Sequence, residues 1–545
     1  MQRDNNVFID SRTKKSIGLD EIINNLPTLT DYGAIAKMNM IPYIKEDMGE
    51  LKIALEDLSD IVKFAELSKR RMNEIKGALH IIKDIRGSIK RLKRREILNE
   101  VEFFELKSQF MEIEKLRNLL MASKEIYLER FKLNSSKLEI ELLDPEKTGT
   151  KTFYMYDAFS VDLSEIRKTK SKIEKNISII KEKLREEVFD VTGLMPSKSG
   201  EIRINSSKKS EIEKLKSCDK IVLSSEYFSA LVFRVKNNKD LKAMINELDD
   251  LVIQEEKEEF KIRKILVEKL SRNVEKFEKN IVAVGELDLF IAKSIYAMAI
   301  KAVKPSIDND IFIEIEKGRH VSTENALKSK GSQFTPIDIS LKKGVTLITG
   351  ANMGGKTVNL KMVSLIVALA QYAMFVPAES ARIGLVNFVY LSVGDEQSDK
   401  QGLSTFGAEI FNLKEVISKS DETGLILIDE IARGTNPTEG QAIAKAIIKY
   451  LKNKNSVTII TSHFDGLYTI EGVKHLQVKG LSDADIAQMK SDVLKNEQYE
   501  VIFEKYMDYR LEEVKNVDLV PRDALLVAEI MGLCKEIIDD ADKMK

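Results

Sequence analysis

Tryptophan is absent from this 545-residue chain, and cysteine, proline and aromatic side chains are scarce. The two cysteines, Cys218 and Cys534, stand far apart, which excludes a disulfide framework and points to a reducing, cytoplasmic setting. Aromatics make up 7% of the residues and charged groups 32%, a balance that suits long solvated helices rather than β-sandwiches. Long hydrophobic runs are missing too. The most apolar stretch, Val363–Ala378, contains Gln371 and ends at Pro377, so it reads as a buried helix and not a membrane span. The first residues, Met1-Gln-Arg-Asp-Asn-Asn6, lack the apolar core of a signal peptide. Nor is positive charge in excess: a formal net charge of −1 excludes a uniform coat for nucleic acid but leaves room for a local basic patch.

What is present begins with Val345-Thr-Leu-Ile348, a short apolar run that ends in glycines and is followed by an amphipathic run from Val358 to about Tyr372. The join fits G-x-x-x-x-G-K-[ST], with Gly350, Gly355, Lys356 and Thr357 in the fixed places. Glycines let backbone N–H groups close around phosphates, and a helix N-terminus adds positive partial charge. Lys356 is expected on the β/γ-phosphates of ATP and Thr357 on Mg²⁺.

Gly424-Leu-Ile-Leu-Ile-Asp-Glu430 is a buried parallel strand ending in two carboxylates, at the end of the strand where open α/β sheets bind ligands. Asp429 is expected to hold Mg²⁺ through water. Glu430 is expected to orient and deprotonate the attacking water. Ser456 to His463 is a further buried strand, and His463 at its end can sense the γ-phosphate; His80 and His475 lack that context and read as structural or surface residues. Gln401-Gly-Leu-Ser-Thr-Phe-Gly407 opens a helix, where Ser404 is either a phosphate donor or an ordinary N-cap.

Along the chain, residues 1–18 read as a polar tail and 19–136 as a helical core domain. Within that core, Lys90-Arg-Leu-Lys-Arg-Arg95 is either a solvated helix face or a contact for nucleic acid or an acidic partner. Residues 137–290 read as lever arms: short β-like runs from Leu138 to Val161, then two long charged helices packed antiparallel around a small clamp-like module at about 190–238. From Pro196 to Lys242 there are eleven Lys/Arg against six Asp/Glu, enough to touch phosphates. An α/β ATPase domain is expected over 291–490. A C-terminal strand and helix are expected over 491–545, suited to dimerisation and with no added nuclease-like domain.

Taken together, these segments resemble the MutS family of ABC-type ATPases. The loop Thr349-Gly-Ala-Asn-Met-Gly-Gly-Lys-Thr357 is similar to that family's TGPNMGGKS, with Ala351 for Pro and Thr357 for Ser. Gly402-Leu-Ser-Thr-Phe406 resembles GRSTF with Leu403 for Arg, Asp429 to Thr435 resembles DEIGRGT, and Thr461-Ser-His463 its final TH. The resemblance implies an α/β P-loop domain joined to a long helical lever region, and a homodimer in which Ser404 acts on the nucleotide of the opposite subunit. It also places Asn352 near the γ-phosphate, Met353 and Gly354 in the nucleotide loop, and Phe334 either on the adenine or in the core. The family's amino-terminal mismatch-reading domain is expected to be missing, and Phe64 and Phe103, in literal F-x-E matches, to be coincidences. The implied partner is duplex DNA. The short build, with VGDEQS and GLSTFGAE, is also similar to the reactivating ATPases of the adenosylcobalamin enzyme lysine 5,6-aminomutase, which implies a protein client instead.

Overall fold

A computed structural model describes residues 8–350, 355–393, 405–432, 435–464, 466–480, 507–514, 528 and 533–544. The chain opens with helices α1 (Ser11–Ser16), α2 (Leu19–Asn24), α3 (Asp31–Met38), α4 (Met48–Leu67), α5 (Lys69–Ile81), α6 (Arg86–Lys93), α7 (Glu100–Ala122), α8 (Lys137–Leu143) and α9 (Val161–Thr192). A small module follows: β1 (Glu201–Asn205), α10 (Lys209–Ser217), β2 (Ile221–Glu226) and β3 (Ala230–Val235). Then come α11 (Lys239–Ser271) and α12 (Val274–Ala299). The α/β part holds β4 (Ser306–Asp308), β5 (Phe312–Gly318), α13 (Val321–Ser329), β6 (Ile337–Lys342), β7 (Gly344–Thr349), α14 (Lys356–Gln371), β8 (Ser380–Gly384) and β9 (Phe388–Ser392). It continues through α15 (Thr405–Lys419), β10 (Gly424–Ile428), α16 (Pro437–Leu451), β11 (Val457–Thr461), β12 (Lys474–Gly480), β13 (Asp508–Glu513) and α17 (Lys535–Lys543). The architecture is thus mixed, helical and α/β.

The chain divides into two compact units that it enters more than once: 1–81 with 118–132 and 281–545, and 82–117 with 133–280. This differs from the linear order of segments read from the sequence. The stretch 19–136 is shared between the units, because α7 begins in one and ends in the other.

In the first unit, among the described residues, six strands form a sheet in the order β13-β12-β7-β11-β10-β9, parallel except for β13. Every residue of β7, β10 and β11 is buried, which is why these strands read as continuous apolar runs without alternation. A second sheet runs β4-β8-β5-β6. Helix α14 is buried nearly all round. The Gln371 side chain near its end is satisfied by Tyr43 O, Val386 O and Val386 N–H. Buried Lys293 of α12 donates to Tyr372 O at 2.9 Å, occupying a carbonyl just past that end; burial lowers its ammonium to about 7.

The polar tail expected over residues 1–18 is corrected. Phe8, Ile9 and Ile17 are buried. Ile9 bridges Val389 in parallel, and Val389 N–H donates to Phe8 O at 2.7 Å. The adjacent residues Phe8 and Ile9 thus give β9, the outermost strand of this sheet among the described residues, a backbone partner. Ile17 O receives the ring of His320, whose other nitrogen caps α13 through Thr323.

In the second unit, α9 and α11 run antiparallel over a seam of Ile173, Ile177, Leu184, Leu241 and Leu251. Near one end Arg167 is held by Glu255 at 2.7 Å and Glu259 at 2.9 Å. The module folds over its own core of Ile202, Ile204, Leu215, Ile221 and Phe233, with sheet order β1-β3-β2. The β-like runs expected from Leu138 to Val161 are also corrected: this stretch holds α8 and a turn of 3₁₀ helix at Asp157–Phe159, and no strand. Its aromatic residues pack on one another and on α7, Phe153 against Tyr156 and Phe159 and against Phe103 of α7. Asp144 closes the loop by accepting from Gly149 N–H and Thr148 Oγ1, both at 2.8 Å.

Three of the five cations in the basic run Lys90–Arg95 are paired with carboxylates inside this unit. Arg91 pairs with Glu102 and Glu96, Lys93 with Glu278 and Arg94 with Glu96. Phe64 and Phe103 are 3% and 0% exposed, so neither aromatic ring is available to a ligand. Among the described residues no helix is long and apolar enough to cross a membrane.

Candidate functional site

Three buried parallel strands, β7, β10 and β11, lie side by side, and their C-terminal ends bring distant polar residues together. After β7 the backbone turns at Gly350, φ +136°, where an added Cβ would meet Val478 Cβ at 3.0 Å. It turns again at Gly355, φ +73°, the N-cap of α14, where a Cβ would lie 3.0 Å from the Tyr509 ring. Both positions need a residue without a side chain. Asn352, Met353 and Gly354 lie outside the described residues, as does Ser404.

Lys356 opens α14. It is 5% exposed, and its Nζ donates to Gly350 O at 2.7 Å. Both ring nitrogens of His463 are 3.4 Å from that ammonium. Burial draws the Lys356 ammonium below the usual lysine range, and the negative charges of Glu430 and Asp429 oppose the shift. Next in the chain, Thr357 Oγ1 donates to Asp429 Oδ2 at 2.6 Å. Asp429 stands at the end of β10, tied to β9 by its N–H on Ser392 O at 2.9 Å. Its other oxygen accepts from Thr461 Oγ1 at 2.6 Å, and the Thr461 hydroxyl also accepts from Glu430 N–H at 2.8 Å. Glu430 Oε1 is 2.7 Å from His463 Nε2. Glu430 itself has φ +52° and Ala432 φ +60°, in the left-handed region that side-chain-bearing residues seldom adopt.

The structure therefore brings together Gly350, Gly355, Lys356, Thr357, Asp429, Glu430 and His463. Phe334 is half-buried in the connection between α13 and β6. His475 is buried, with Nε2 2.7 Å from Thr349 Oγ1 and its ring stacked on Tyr468, a structural place beside the loop. His80 is exposed. Two polar residues carry connections for which no role was read from sequence. One is Thr461, whose signal is a hydroxyl at the end of a buried strand. The other is Glu409 on α15, which accepts the Ala432 N–H at 2.7 Å; its signal is a carboxylate at helical spacing from buried Leu413 and Val416.

The donor set fits a nucleotide with a hard divalent cation. A carboxylate and a hydroxyl from different elements converge where a cation needs oxygen ligands. A buried ammonium stands beside them for phosphate charge, and a 16-residue helix begins where the phosphates would sit.

Residues 346–545 match the family model of MutS domain V. Curated relatives named Endonuclease MutS2 are similar to this chain. That of Acetivibrio thermocellus is 28% identical over 483 residues, 84% of this chain and 57% of the relative. That of Caldanaerobacter subterraneus subsp. tengcongensis is 34% identical over 244 residues, 44% of this chain and 30% of the relative. That of Carboxydothermus hydrogenoformans is 37% identical over 231 residues, 42% and 29%. The chain thus spans between 29% and 57% of the length of these relatives.

Proposed function

We propose that this chain, which belongs to the MutS family through its domain V, is a magnesium-dependent ATPase whose P-loop fold uses ATP to reposition helical arms around a client. The observation that carries the reading is the 2.6 Å bond from Thr357 to Asp429. It joins the glycine-rich loop to the carboxylate pair of a strand 72 residues further along the chain.

Magnesium-bound ATP supplies the transferable phosphoryl group and the divalent charge. Lys356 neutralises the β/γ-phosphates, and the backbone from Gly350 to Gly355, with Asn352, Met353 and Gly354, wraps them. Thr357 and Asp429 would hold the cation, Asp429 through water. Glu430 orients the attacking water and takes its proton. His463, 2.7 Å from Glu430 Oε1, fixes that carboxylate and senses the γ-phosphate. Phe334 stacks on the adenine. Ser404 reaches the nucleotide of a partner subunit, so the active form is a homodimer, with 491–545 contributing to its contact. Steady-state hydrolysis by the parent chain, Lys356→Ala and Glu430→Ala tests this reading: turnover that survives both substitutions overturns it.

The client in this reading is duplex DNA, the partner implied by the family resemblance; the relatives are named as endonucleases. A protein client, such as an adenosylcobalamin-dependent lysine 5,6-aminomutase, has one observation in its favour. Three of the five cations in the basic cluster, Arg91, Lys93 and Arg94, are already paired with carboxylates, which leaves fewer charges for phosphates. Salt-steep duplex binding selects the first client. ATP-dependent rescue of an inactivated mutase, with little DNA affinity, selects the second.

A further inference from the structure

We propose that Glu409 is a positioning residue that sets the direction of Glu430 by holding the backbone of the turn after it; the inference rests on the ATPase reading and deepens it. Glu409, Leu413 and Val416 recur at i, i+4 and i+7 on α15, the spacing of one helix face. Leu413 and Val416 are buried in the same cluster as Ile431 and Ala432, so this face of α15 packs on the turn 430–432. The third member of the stripe is a carboxylate where an apolar residue would pack equally well. Its Oε1 accepts the Ala432 N–H at 2.7 Å. Burial also raises the Glu409 carboxyl above its ordinary range, as expected of a group set into an apolar face for a specific bond.

The turn needs holding. Glu430 and Ala432 have φ of +52° and +60°, conformations that relax unless their surroundings impose them. Three successive N–H groups are anchored. Glu430 N–H goes to Thr461 Oγ1 at 2.8 Å, Ile431 N–H to Thr461 O at 3.3 Å, and Ala432 N–H to Glu409. The first two anchors are on β11 and the third is on α15. On another side α16 comes so close that a Cβ on Gly440 would lie 3.0 Å from Ala432 O. The turn is thus gripped by three elements, and the direction in which Glu430 leaves the backbone follows from that grip. The placement of α15 is thereby built into the placement of the carboxylate that meets His463.

The test uses the full chain with Glu409→Leu, which removes the acceptor while keeping the bulk, and Glu409→Gln, which keeps an Oε1 acceptor. Turnover number and KM for ATP are measured, with the Kd of a fluorescent non-hydrolysable ATP analogue. Glu409→Leu is expected to lower kcat about tenfold or more, with analogue affinity within about threefold of the parent. Glu409→Gln is expected to stay within about threefold in kcat. In a Glu430→Gln background, Glu409→Leu should cost nothing further, since both act through one group. An unchanged kcat in Glu409→Leu, equal losses in the Leu and Gln variants, or a full additional loss in the double variant overturns the inference. If Glu409→Leu fails to bind the analogue because it does not fold, Glu409→Gln decides: near-parent kcat supports the role, and a collapsed kcat with intact binding overturns it. A parent chain without ATP hydrolysis removes the ATPase reading, and this inference with it.

Discussion

Thr461 donates to Asp429 Oδ1 at 2.6 Å, and this bond matches the 2.6 Å bond that Thr357 makes to the other oxygen of the same carboxylate. Asp429 is therefore held from both sides, by the end of β11 and by the start of α14. The same Thr461 hydroxyl receives Glu430 N–H, so one side chain orients both members of the carboxylate pair. Thr461→Val keeps the shape and removes both connections. A hydrogen bond to a charged group contributes about 1.5–3 kcal/mol, so kcat is expected to fall by about 10- to 100-fold, with a raised magnesium requirement. A magnesium titration of steady-state ATPase activity checks this; an unchanged titration would remove Thr461 from the site.

Glu430→Ala is expected to bind ATP with near-parent affinity and to lose turnover by about 100-fold or more, as removal of a general base should. Equilibrium binding of a fluorescent analogue alongside single-turnover hydrolysis separates the two effects. Hydrolysis close to the parent rate would assign the base elsewhere.

His320 supplies a pH dependence of stability. Burial lowers its pKa to about 4, opposed by its bond to Ile17 O and reinforced by Lys361. Its unfolded value is about 6.5. Between those values the unfolded chain binds more protons than the folded one, so stability falls as pH drops from about 6.5 to about 4. His320→Asn keeps a capping side chain without the titration. The difference in unfolding midpoint between parent and variant should therefore shrink or reverse toward pH 4. Parallel midpoint curves from pH 7 to 4 would show that His320 is not the titrating group.

Duplex binding, where it occurs, is expected to be blind to mismatches. Phe64 and Phe103 are core side chains and cannot wedge between bases. Contacts would come from lysines of the module, such as Lys208 and Lys209, acting on phosphates. Matched and mismatched duplexes should bind within about threefold of each other and weaken together with salt. Fluorescence anisotropy at two salt concentrations decides it, and a salt-resistant tenfold preference for the mismatch is the contrary result.

Asp429, Glu430 and His463 were legible in the sequence because they follow the ends of fully buried strands, which read as unbroken apolar runs, and Lys356 and Thr357 because they open a helix after a glycine-spaced loop that follows such a strand. Their convergence follows from the parallel pairing of β7, β11 and β10. Thr461 and Glu409 were harder to read, since a hydroxyl or a carboxylate beside apolar residues looks the same whether it faces water or a backbone N–H. The Lys90–Arg95 run was open to two readings because its carboxylate partners are partly remote: Lys93 meets Glu278, 185 positions away. The strands expected between Leu138 and Val161 rested on local texture, and the aromatic residues there bury one another without a ladder. Val7-Phe8-Ile9 was hidden between polar stretches, where a run of three apolar residues carries no periodicity.

Two of those residues have a consequence for handling the protein in solution. Phe8 and Ile9 occupy a hydrogen-bonding position along β9, the last strand of its sheet. A chain trimmed by proteolysis to begin after Asp10 would leave β9 with an unsatisfied backbone margin next to apolar Phe388 and Val389. Such margins recruit strands from other molecules. Trimmed protein is therefore expected to scatter light increasingly with concentration, under conditions where the intact chain does not, and an added excess of a peptide spanning residues 4–14 should suppress that association.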